Sequence, residues 1–126
     1  MKYKFIKESV EEFLEPKSAE DIKQSLSGLS KKELNNSLLD AAYDGYYDIV
    51  KLLLNNGADV DARSINGYTA LIYASAEGYY NIVKLLLDFN ANINIANYDK
   101  QNALYSALLY HNNDIAKLLK KHGAIK

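Results

Sequence analysis

Ala41-Ala42-Tyr43-Asp44-Gly45-Tyr46-Tyr47-Asp48-Ile49-Val50-Lys51-Leu52-Leu53-Leu54 returns later in the chain as Ala74-Ser75-Ala76-Glu77-Gly78-Tyr79-Tyr80-Asn81-Ile82-Val83-Lys84-Leu85-Leu86-Leu87. The step from Gly45 to Gly78 is 33, and so is the step from Ile49 to Ile82. A second equal step lands on Ala107, His111, Ile115, Leu118 and Leu119, and Gly57, Asn90 and Gly123 keep the same register. A fixed period of this length is the signature of stacked supersecondary units, each unable to bury its apolar face alone.

Each unit has the pattern of two antiparallel helices. In the middle unit the first is expected over about 69–76, ending at Gly78, and the second over about 80–88. Ile82, Val83, Leu85, Leu86 and Leu87 give the second its apolar stripe. Gly57, Asn90 and Gly123 stand where a helix closes in the left-handed region, a conformation that Gly and Asn tolerate. Gly45 and Gly78 close the first helices. His111 takes their place in the third unit and must adopt the same positive φ. Ala41, Ala74 and Ala107 are expected at equivalent buried sites where neighbouring first helices approach closely.

The middle unit runs Asn66-Gly67-Tyr68-Thr69-Ala70-Leu71-Ile72-Tyr73-Ala74 and continues through Gly78 into the Ile-Val-x-Leu-Leu-Leu run. In this the chain resembles the ankyrin-repeat family, over about residues 34–126, through the pattern G-x-T-P-L-H-x-A. Ala70 replaces the family's Pro and Ile72 its His. The other units carry Ser37 and Leu39, or Ala103 and Tyr105, at those positions. The resemblance implies an all-α solenoid of three helix-turn-helix repeats, about 30–62, 63–95 and 96–126, forming one continuous domain. Apolar packing must then replace the hydrogen bonds the His usually makes. It also implies protein recognition on a concave face built from hairpin tips and first helices. The corresponding residues are Tyr43 and Asp44 in the first unit, and Arg63, Ile65, Asn66, Tyr68 and Glu77 in the second. In the third they are Tyr98, Asp99, Gln101, Leu109 and Tyr110. Tyr is enriched among binding hot spots, and Tyr68 and Tyr98 are the best placed. Tyr46, Tyr47, Tyr79 and Tyr80, which follow the Gly turns, are expected to pack between repeats.

The end units need polar outer faces. Where the middle unit has Val83 and Leu87, the last has Ala116 and Lys120, followed by Lys121, so its second helix is expected to close the stack. At the other end Tyr3, Ile6, Val10 and Phe13 fall at helical spacing before Pro16, and Ile22 and Leu26 line a second segment ending at Gly28. Residues 1–29 are therefore expected to form an N-terminal helical cap. Ser30-Lys31-Lys32-Glu33 is a capping box that opens the first helix of the first repeat.

The rest of the composition argues against chemistry. The chain of 126 residues has no Cys, which removes disulfides, thiolate catalysis and Cys-based metal sites. His111 and His122 lack metal-ligand spacing, the Gly residues stand singly at caps and turns, and no Ser has a His–Asp neighbourhood. The expectation is no enzyme activity and no cofactor. A net charge of −1 and a single Arg among 15 basic residues give no footprint for nucleic acid. Lys117, Lys120, Lys121 and Lys126 are better accounted for as a polar end than as a phosphate site. No stretch is long and apolar enough to span a membrane, and Met1–Val10 lacks the apolar core of a secretory signal, so a cytoplasmic protein, monomeric alone, is expected. The expected function is recognition of a protein partner as adaptor, inhibitor or effector. The alternative is a structural or assembly component that associates through the ends of the solenoid.

Overall fold

A computed structural model describes residues 26–124. Among them are six helices: α1 Lys31–Asp44, α2 Tyr47–Asn55, α3 Ala70–Glu77, α4 Tyr80–Asp88, α5 Ala103–Leu109 and α6 Asn113–Lys121. They pair as α1/α2, α3/α4 and α5/α6. The inner helices α1, α3 and α5 form one row and the outer helices α2, α4 and α6 another. The expected cap residues Tyr3, Ile6, Val10 and Phe13 lie outside the described residues. Leu26, at the edge of that segment, is buried in the core.

One continuous apolar core runs between the rows. Ala41, Ala74 and Ala107 are each fully buried, as the register requires, because only a small side chain fits where consecutive inner helices touch. Leu53, Leu86 and Leu119 repeat the same burial along the outer row. Of the three positions of the absent family His, Leu39 and Ile72 are buried, so apolar contact replaces the polar network there, whereas Tyr105 in the third repeat is 47% exposed and makes no such replacement. Ala116 is buried while Lys120 and Lys121 are exposed, which gives α6 a polar outer side.

Local chemistry sets the helix ends. Ser30 and Glu33 form the reciprocal capping box at the start of α1. Thr69 Oγ1 accepts from the Ile72 amide at 3.2 Å, and Asn102 Oδ1 from the Tyr105 amide at 2.8 Å. Asn36, the register equivalent of those two caps, lies inside α1, because the first inner helix starts at Lys31. At the other ends Gly45 and Gly78 adopt φ of 85° and 86°, and His111 follows them at 60°.

The tyrosines after the Gly turns divide between core and edge. Tyr46 and Tyr79 are half-buried against the core, whereas Tyr47 and Tyr80, 38% and 41% exposed at the start of the outer helices, border surface grooves against the outer helix of the next repeat. The first of each pair precedes the helix and is carried across the Gly turn, while the second is already on the helix, on the side away from the core. Tyr79 seats on Gly45 of the preceding repeat, and Asn112 replaces it one repeat later beside Gly78. There the Asn112 amide donates to the carbonyls of Ser75 and Ala76 at 2.8 and 3.0 Å. A polar clasp thus stands in for an aromatic one.

Candidate binding face

Two tight turns project from the helical stack between successive repeats. In the first, the Ser64 amide donates to the Tyr68 carbonyl at 2.8 Å and the Gly67 amide to the Ser64 carbonyl at 2.9 Å. The second repeats this one full period on: Asn97 donates to the Gln101 carbonyl and Lys100 to the Asn97 carbonyl, both at 2.9 Å. Gly67 takes φ 82° and Lys100, in its register position, φ 64°. The Asn97 side chain accepts from the Asp99 and Gln101 amides at 2.9 and 3.0 Å, which stiffens the second turn.

The turns are tied to each other. The Tyr98 amide donates to the Asn66 carbonyl at 3.2 Å, and the Arg63 guanidinium donates to the carbonyls of Gly67 and Ala96. The same guanidinium lies 5.1 Å from the centre of the Tyr98 ring. The lone Arg of the chain therefore has a structural part in joining two hairpins. Two further bonds lie at exposed positions: the Asn92 amide donates to Asp61 Oδ1 at 2.8 Å and the Asp59 amide to Asn35 Oδ1 at 2.7 Å.

The sequence-expected face is distributed unevenly. Ile65 is 92% exposed at the tip of the first turn and Tyr98 67% exposed at the second. Asn66 and Asp99 are exposed beside them. Tyr43, Leu109 and Tyr110 are exposed at the ends of the inner helices, with Asp44 and Glu77 nearby. Two members turn inward. Tyr68 is half-buried and stacked on Tyr73, with ring centres 5.0 Å apart and planes at 8°. Gln101 is half-buried and accepts a bond from the Asn97 amide group at 3.1 Å.

Tyr73 and Asp40 belong to this face although the motif does not point to them. Tyr73 meets Tyr43 edge to face, with centres 5.4 Å apart, and links it to Tyr68. Asp40 precedes Tyr73 by one full period, so the repeat itself places the two side by side on neighbouring inner helices. Its carboxyl is held above the ordinary aspartate value of 3.8, first by burial and then by the Asp44 carboxylate. The Tyr79 phenol is pushed up too, by burial and next by Glu77 and Asp44, whose charges gather beside it. A second uncovered area lies on α5, where Tyr105, Leu108 and Leu109 border a groove with Lys100 and Asn102. Among the described residues there is no cluster of three or more His, Asp or Glu suited to hold a metal ion. Nor is any helix among them long and apolar enough to cross a membrane.

Paired helices stacked at a period of 33, with linked turns projecting to one side, define a helical repeat solenoid. The sequence pattern of the ankyrin repeats, in three copies, matches residues 7–126, and the chain belongs to the ankyrin-repeat family. Ankyrin repeats are generally modules of protein–protein interaction rather than catalysis. The chain is also similar to the rat and mouse proteins named ankyrin repeat and SAM domain-containing protein 6. Each is 59% identical over 34 residues, about one repeat, which is 27% of this chain and 4% of the relative. The chain thus spans a small fraction of the curated relatives it matches.

Proposed function

We propose that the chain binds a protein partner through the face made by its two turns and the ends of its inner helices, acting without catalysis as an adaptor, inhibitor or effector. The observation that carries this is Ile65, an aliphatic side chain left 92% exposed at the tip of a turn closed by its own backbone hydrogen bonds. Tyr98 stands on the next turn and Tyr43 on the helix behind, so large apolar surface collects on one side. The turns are stiffened by Asn97 and by the Arg63 bridge, so little ordering entropy opposes binding. Tyr43, Asp44, Arg63, Ile65, Asn66, Tyr68, Glu77, Tyr98, Asp99, Gln101, Leu109 and Tyr110 make up the proposed face, Tyr68 and Gln101 as supports from beneath. Residues 1–29 are taken as its helical cap and the cytoplasm as its setting. Affinity capture with the wild type beside an Ile65→Asp/Tyr98→Ala double variant tests it. Partners retained only by the wild type support the face, and equal recovery by both removes it.

A second reading is association through the end of the stack. Tyr105 and Leu108 occupy the register positions of Ile72 and Ser75, which are fully buried under the next repeat, yet Tyr105 is 47% exposed. Light scattering of the wild type and of Leu108→Lys over a range of concentration tests this. A mass that rises only for the wild type supports end association, and a constant monomer mass rejects it.

A further inference from the structure

Between α1 and the first turn lies a groove of about 350 Å³, bordered by Leu39, Asp40, Tyr43, Ser64, Ile65 and Tyr73. Its parts come from three places in the chain and are held independently. Leu39 is anchored in the core, Tyr73 is backed by the stacked Tyr68 ring, and Tyr43 meets Tyr73 at 90°. Two tyrosines at right angles thus make a corner in a groove that the aliphatic side chains of Leu39 and Ile65 also line. Asp40 stands one helical turn before Tyr43 on α1, and it is the one charged side chain among the described residues bordering the groove. Asp44 follows a turn later and adds to the negative potential.

Those features select the occupant. An apolar or aromatic group would fill the corner but would strip water from the Asp40 carboxylate without replacing it, at a cost that outweighs small apolar gains. An anion would be repelled by both carboxylates. A long cationic side chain satisfies every part, its methylene stem lying on Leu39, Ile65 and the rings while its head meets the carboxylate and the electron-rich tyrosines. We propose that the Tyr43–Tyr73 corner, closed by the carboxylate of Asp40, receives a lysine or arginine side chain of the protein partner. This rests on the concave-face function proposed above and names the chemistry of one anchor within it. The raised proton affinity of Asp40 fits, since a partly desolvated carboxylate beside a like charge gains from a cation brought to it.

A random peptide library displayed on phage, panned against the full chain, supplies the probe. Enriched peptides are remade with a fluorescent label and titrated by anisotropy against wild type, Asp40→Asn, Tyr73→Leu and Ile65→Asp/Tyr98→Ala. The expected peptides share one Lys or Arg, and replacing it by norleucine or citrulline weakens binding about five- to twentyfold. Asp40→Asn, exposed and nearly isosteric, retains the helical circular dichroism yet loses most of that discrimination. Peptides that need Ile65 and Tyr98 but tolerate loss of every basic residue overturn the lysine or arginine anchor alone and leave the binding face standing. So does equal discrimination by Asp40→Asn and wild type. No enrichment, or binding indifferent to all four proteins, overturns both.

Discussion

The ring of Tyr98 lies on the backbone of Gly67, so close that a β-carbon on that glycine would stand 2.9 Å from the ring and 3.0 Å from the Tyr98 amide nitrogen. Gly67 also holds φ 82°, and two requirements therefore meet at one residue. Gly57 shares the positive φ, at 99°, but has nothing within 4 Å of where a β-carbon would go. The difference between the two separates backbone strain from inter-repeat crowding. Gly57→Ala is expected to cost about 1–2 kcal/mol from strain. Gly67→Ala should cost clearly more, about 2–4 kcal/mol, since overpacking against a backbone atom adds to the same strain. Urea melts of the two variants check this, and equal losses would refute a close inter-turn contact.

Leu86 is fully buried in the middle of the outer row, and Leu86→Ala is expected to cost about 2–5 kcal/mol. Lys120 is exposed on α6, and Lys120→Ala should change stability by well under about 1 kcal/mol. Similar shifts in the urea midpoint for both would contradict a polar outer side on the last repeat. Ala74→Leu, at a fully buried site where inner helices touch, is expected to destabilise by about 1–3 kcal/mol through overpacking, read in the same urea melts.

Ser75 is fully buried with its hydroxyl oxygen making no hydrogen bond. Removing a buried polar atom that has no partner relieves its desolvation. Ser75→Ala should therefore leave the melting midpoint unchanged or raise it by the equivalent of about 1 kcal/mol. A loss of more than about 1 kcal/mol would show that the hydroxyl has a partner after all.

Asp40 should make stability depend on pH in an unusual direction. Its folded value lies above the unfolded one, so the folded state holds the proton more tightly between the two. The stability contributed by the protonated carboxyl is complete below about 3.8 and is lost as pH rises through the folded value. Asp40→Asn should thus be more stable than wild type near neutrality, with the gap closing in acid. Chemical melts of both proteins in acid and at neutrality check the sign. A gap that widens in acid would mean that Asp40 is held by a cation in the free protein.

Truncating Tyr98 to Ala removes the ring under Arg63 but little buried area, so stability should fall by under about 1 kcal/mol. Binding of a partner to the turn face should weaken by about 1–3 kcal/mol. Calorimetric melting beside a binding titration separates the two. A large stability loss with unchanged binding would make Tyr98 a purely structural tie between turns.

The period of 33 and its Ala, Gly and Leu positions determined the helix pairs, their ends and the core, because a stack of like units makes burial a property of register. Ile65 and Tyr98 could be named for the same reason, since a repeat places its turn tips on one side. Which tyrosines face water could not be read that way. Tyr68 turns inward because Tyr73, on the helix that follows, offers a ring to stack on, and Tyr98, at the turn tip in the register of Ile65, stays outside over Gly67. The Tyr43–Tyr73 corner beside Asp40 arises the same way. Its members come from successive repeats, and neither the angle between the rings nor the groove they border exists until α1 and α3 pack. Periodicity fixes which residues are neighbours. Only the packed backbone decides how two neighbouring side chains share the space between them.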